Sequence, residues 1–96
     1  MIYLKVNWYH HDDEEPIEIY SELSVTRWEL RKVEVFADGT MLCADGEQRY
    51  GTCDLSLESI PATEVINEDA QFYAVEISKD AFEQIWLQSQ CAHAGS

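Results

Sequence analysis

The stretch from Trp28 to Gly46 restricts the fold more than any other. Val33 and Val35 alternate with Lys32 and Glu34, which is the period-two pattern of a half-buried strand. Asp38-Gly39 follows. A glycine tolerates the positive φ of a tight turn, so the chain is expected to reverse there into a returning strand. A second Asp-Gly, Asp45-Gly46, ends that strand and suggests a third one through Arg49 to Thr52. Such a meander has an apolar face that the rest of the chain must cover.

The flanking segments supply the cover. Ile2, Leu4, Val6 and Trp8 alternate with Tyr3, Lys5 and Asn7, giving a first strand with the former set toward the core. Ile17 and Ile19 alternate with Glu18 and Tyr20, a short second strand with an acidic open face. Thr26-Arg27-Trp28-Glu29 has the form of a capping box inside a turn, and Trp28 is read as a lid on the core. Leu55 and Leu57 permit a short edge strand or an extended connection before Pro61, which suits the first turn of a short helix over 62–66. Phe72 to Ile77 is a further strand candidate. Ser78 is a plausible N-cap, with Asp80 in the first turn of a closing helix from Lys79 to about Ser89. Ala81, Phe82, Ile85 and Trp86 form its apolar stripe, and Trp86 is expected to contribute most. The fold class is therefore α+β: a mainly antiparallel sheet of about five strands with the C-terminal helix packed on one face. Residues 1–89 form one acidic domain and 90–96 a flexible tail.

Charge bears most on function. Nineteen acids face six bases, a formal net charge of −13, beyond the magnitude of about 2–8 that solubility asks of a small domain. That balance argues against bare nucleic acid or an anionic membrane as partner, since both want basic patches. It favours a basic protein or a cation. No apolar run approaches the roughly 20 residues of a membrane span. The N-terminal residues lack the basic and apolar regions of a secretion signal, so the expected location is cytoplasmic. Cys43, Cys53 and Cys91 form no CxxC pair and read as reduced thiols.

Catalytic templates fail: there is no GxSxG, P-loop, GxGxxG after a strand, or HExxH. Cys91 and His93 sit together in the tail, where a nucleophile–base geometry is not held. No cofactor is expected. His10-His11-Asp12-Asp13-Glu14-Glu15-Pro16 offers metal-type ligands. Adjacent residues cannot converge on one ion without distant help, so a contact loop for a basic partner is the preferred reading. Steered association needs aromatic anchors within an acidic rim for specificity. Tyr3, Tyr9, Tyr20, Tyr50 and Tyr73 are candidates, and Tyr9 and Tyr20 flank the acidic loop. The expected contact residues are Asp12, Asp13, Glu14, Glu15, Glu18 and Tyr20. Arg27, Arg31 and Lys32 are read as cross-strand partners of nearby acids rather than as an anion site.

Several strings carry a resemblance over about residues 2–86: Leu4-Lys5-Val6-x-Trp8, Tyr20-Ser21-Glu22-Leu23, the run from Trp28 to Gly39, and Phe82-Glu83-x-x-Trp86. Together they resemble a family of small bacterial domains of unknown function, some of whose members look like immunity partners of polymorphic toxins. The resemblance supplies no catalytic residues. It implies an inhibitory binding protein, most concretely an immunity protein that occludes a basic toxin, a nuclease among the candidates. The alternatives are a nucleic-acid mimic aimed at a host nuclease or restriction system, and a small metal-binding domain or enzyme centred on His10, His11, Asp12 and Asp13.

Overall fold

The computed structural model describes residues 1–49, 51 and 53–93, with no account of the side chains of 91–93. Five strands form one antiparallel sheet: β1 (Ile2–Trp8), β2 (Glu18–Leu23), β3 (Glu29–Val35), β4 (Met41–Ala44) and β5 (Phe72–Glu76). Their order is β4-β3-β2-β1-β5. Four consecutive strands thus make the meander, and the chain then crosses over to add β5 beside β1. Two helices complete the domain, the one-turn α1 (Thr63–Ile66) and the closing α2 (Lys79–His93). The α+β class and the five-strand sheet agree with the sequence pattern.

The Asp38-Gly39 reversal forms as the sequence requires. Gly39 has φ +89°, and the Phe36 and Thr40 backbones bond across the turn at 2.9 Å. Of the third strand expected through Arg49 to Thr52, the described residues show one bridge between Ala44 and Arg49, and Tyr50 and Thr52 lie outside them. The Leu55–Leu57 segment is an extended connection, and Leu57 is 92% exposed. Ser78 caps α2, since its Oγ accepts from the Ala81 N–H at 3.0 Å. The helix runs past Ser89 to His93, so a tail beginning at Gln90 is not what forms. Residues 94–96 lie outside the described ones.

Both sheet faces are covered, which the sequence reading did not anticipate. Helix α2 packs on the face carrying Tyr3, Val33 and Cys43. Tyr3 and Phe82 rings lie 5.4 Å apart, and Gln90 Nε2 reaches Cys43 Sγ at 3.2 Å. Phe82 is completely buried and Trp86 only partly, so the smaller ring is the helix's main anchor. The opposite face, with Leu4, Val6 and Ile19, lies under Ile60, Pro61, Val65 and Ile66 of the crossover. Tyr3 is therefore core, not a surface anchor.

One turn departs from expectation for a clear reason. Between β2 and β3 the pairing shifts, so that Glu22 faces Arg31 but Leu23 faces Glu29. The extra residue turns Glu29 inward and leaves Trp28 48% exposed, so Trp28 is no lid. Arg27 takes φ +67° to close the turn. Glu29 does not cap anything. Its carboxylate accepts from Ser21 Oγ (2.8 Å), from the Ser56 N–H (2.8 Å) and from Lys32 Nζ (3.1 Å). Three bonds satisfy a carboxylate that burial would otherwise penalise by several kcal/mol.

Candidate partner-binding site

The β1–β2 connection and the β3–β4 turn fall at one end of the sheet, because both join neighbours of the same meander. The first connection carries Asp12, Asp13, Glu14 and Glu15, all exposed. The second carries Asp38. Asp13, Glu14 and Asp38 line one shallow depression with Phe36, Thr40 and Leu42. Glu15 lies near Glu34. Burial pushes the Glu34 carboxyl above its ordinary value, and the charge of Glu15 adds to the rise.

The loop is shaped by its own polar groups. The Asp12 N–H donates to His10 Nδ1 at 3.0 Å, and the other ring nitrogen, Nε2, donates to the Pro16 carbonyl at 2.7 Å. These two bonds fix one tautomer and engage both nitrogens, so neither is open to a metal ion. Asp12 Oδ1 accepts from the Glu14 N–H at 2.9 Å, and Asp38 Oδ1 from the Thr40 N–H at 2.9 Å. The second bond holds the Asp38 carboxyl below its ordinary value. Among the described residues no three His, Cys, Asp or Glu side chains converge as a metal site requires.

The ion pairs among the described residues join Lys5 to Glu18, Arg31 to Glu22 and Glu83, Lys32 to Glu29, and Arg49 to Asp54. None of them reaches Asp12, Asp13, Glu14, Glu15 or Asp38. Arg27 is also engaged elsewhere, donating through Nε and Nη2 to the Ile60 and Pro61 carbonyls at 2.9 and 2.7 Å.

The structure divides the six expected contact residues. Asp12 to Glu15 gather on the loop. Glu18 and Tyr20 lie on the face that α2 covers, in register with Asn7 and Lys5, beyond the part the helix protects. Glu18 is paired with Lys5 at 3.2 Å, and Tyr20 is half-buried under the same ammonium, 5.8 Å from its ring centre. Tyr9 and Tyr73 are exposed, while Tyr50 lies outside the described residues. Sequence reading missed Asp38 as a member of the acidic end, although its place on the turn of an adjacent hairpin was the available signal. It also missed Asn7, which looked like an ordinary outward strand residue.

Cys43 and Cys53 are buried, and burial, reinforced by the charge of Glu34, pushes the Cys53 thiol far up. No helix among the described residues is long and apolar enough to cross a membrane.

A family profile described as a domain of unknown function, DUF6881, matches residues 2–91. No curated protein and no solved structure matches the chain. The chain belongs to the DUF6881 family.

Proposed function

We propose that this member of the DUF6881 family is an inhibitory binding protein of the cytoplasm that occludes a basic partner, most concretely an immunity protein acting on a basic, nuclease-type toxin. One observation carries the reading. The carboxylates of two turns meet at one end of the sheet, and none of the described ion pairs engages Asp12, Asp13, Glu14, Glu15 or Asp38. A net charge of −13 with such an end attracts a cationic surface from a distance and raises its on-rate, up to about 10⁸–10⁹ M⁻¹s⁻¹ at low salt. The loop acids bond only to backbone within their own turns, so occlusion needs no rearrangement of the sheet. Helix α2 and the crossover cover most of the two sheet faces.

The test is capture of the tagged protein's partner from lysate of its source organism at low and high salt. It is repeated with a variant in which Asp12, Asp13, Glu14 and Glu15 become amides. The expected result is one basic toxin-like protein, retained at low salt, lost at high salt, and lost with the variant. Capture that ignores both salt and the amides would remove the electrostatic reading. Recovery of a host nuclease or restriction enzyme instead would favour the nucleic-acid-mimic alternative.

A further inference from the structure

A cleft of about 740 Å³ opens at the end of the sheet where β1 gives way to the acidic connection. This lies within the range of about 300–1,000 Å³ typical of ligand sites. Asn7, Tyr9, His11, Glu18 and Gln71 are among the residues that line it. Asn7 stands in register between Glu18 on β2 and Tyr73 on β5, so these three residues share a face. The Asn7 Oδ1 atom is buried and has no hydrogen-bond donor. Such an orphan acceptor is costly to leave unmet, and Asn7 lines the wall of an open cleft. Beside it, Glu18 offers a carboxylate whose Oε2 meets Lys5 at 3.2 Å. Tyr9, 56% exposed, adds an aromatic ring at the rim. Trp8 lines the cleft as well; its ring stacks on Phe72, and its Nε1 donor is also unpartnered.

These groups specify a ligand. It must donate to a neutral amide oxygen and to a carboxylate at once. It must be positive, to be drawn into this field, and flat, to lie against a tyrosine. A guanidinium meets all three conditions, with five donors in a fixed fork and an apolar face. An ammonium offers a compact point charge without the fork or the face. We infer that the cleft is the receptor for an arginine side chain, by which the basic partner anchors beside the acidic turns. This rests on the proposed function for its biological setting, but the chemistry of the cleft is tested without any natural partner.

The experiment is a titration of the ¹⁵N-labelled protein with acetyl-Gly-Arg-Gly-amide and with its citrulline counterpart, which keeps the shape and loses the charge. Saturable shifts are expected at the Asn7 side-chain amide and at the Tyr9 and Glu18 backbone amides, with the arginine peptide binding at least about tenfold more tightly. Asn7→Leu and Glu18→Gln should each abolish most of that preference. The second alters a half-buried pair at the sheet end, so it decides the matter even if the first misfolds. Equal binding of the two peptides would overturn the inference, as would shifts confined to residues 12–15 that survive both substitutions. A positive titration with no partner captured from lysate would sink the immunity reading and leave the arginine site. The reverse pattern would do the opposite.

Discussion

Arg31→Met is the sharpest test of how this sheet holds its helix. The guanidinium of Arg31 on β3 donates through Nε and Nη2 to both oxygens of Glu22 on β2, at 2.8 and 2.9 Å. It also meets the Glu83 carboxylate on α2, and it lies 4.9 and 5.0 Å from the Phe82 and Trp86 ring centres. The side chains of Arg31, Glu22 and Glu83 are 20%, 12% and 36% exposed. Methionine keeps the apolar stem on the two rings and removes the charge. Breaking a fully buried pair costs about 3–5 kcal/mol, and an exposed one about 0–1. The Glu22 arm lies nearer the first case and the Glu83 arm nearer the second. Adding about 0.5–1 kcal/mol for the lost cation–π contacts gives about 3 kcal/mol in all, a fall in Tm of roughly 12–24 °C for a domain of this size. Glu22 then sets a pH signature. Its bonds to Arg31 hold its carboxyl below the ordinary value, so the stabilisation is complete above that value and disappears as pH falls through the depressed one. Urea unfolding of both proteins at pH 7 and at about pH 3 reads this directly. The gap between them should be wide at neutral pH and narrow in acid. A gap under about 1 kcal/mol at pH 7, or one that acid leaves unchanged, would refute the clasp.

Three more outcomes are expected. Phe82→Ala should lose about 3–5 kcal/mol in urea unfolding, and Trp86→Ala less, because only Phe82 is fully enclosed; the reverse order would restore the larger ring as the helix anchor. Asn67→Ala should destabilise the domain by about 1–3 kcal/mol and cause concentration-dependent association in analytical ultracentrifugation, since the Asn67 side chain satisfies both the N–H and the carbonyl of Ala74 on the outer edge of β5, at 2.6 and 2.9 Å. Glu34→Gln should stabilise the protein at pH 7: burial raises the Glu34 carboxyl, so the folded state prefers the neutral form, and the wild-type penalty grows as pH rises through the raised value. That gain should vanish in acid, where Glu34 is protonated anyway.

The elements defined by alternation and turn chemistry were readable from the residues. Val33, Asp38-Gly39 and the Ser78 cap all depend on neighbours a few positions away, whereas Pro61 falls one residue before the Ala62 N-cap of α1 rather than in its first turn. The errors lie where one local feature competed with a distant one. Thr26 to Glu29 fits a capping box locally, but Ser21, Lys32 and the Ser56 N–H draw Glu29 inward, and only the register shift opposite Leu23 reveals this. Tyr3 reads as outward on β1 because the opposite residues are plainer hydrophobes. With cover on both sides, neither face of this sheet is outward at that row. The candidate site was half legible. The acids of the β1–β2 connection stand out as a run, whereas Asp38 and Asn7 join them only through the ordering of strands.

The distribution of the six basic residues has a further consequence. Arg27 and Lys32 fasten a crossover that has no strand of its own, through the carbonyls of Ile60, Pro61 and Asp54, and Arg31 fastens α2. Half of the cations thus serve as internal rivets. The carboxylates at the far end of the sheet help to hold nothing but their own turns. Architecture and field are therefore separable properties of this chain. Its charge can drift through substitutions at 12–15 with the scaffold unchanged, so a lineage of such proteins can retune which cationic surfaces it attracts without relearning how to fold.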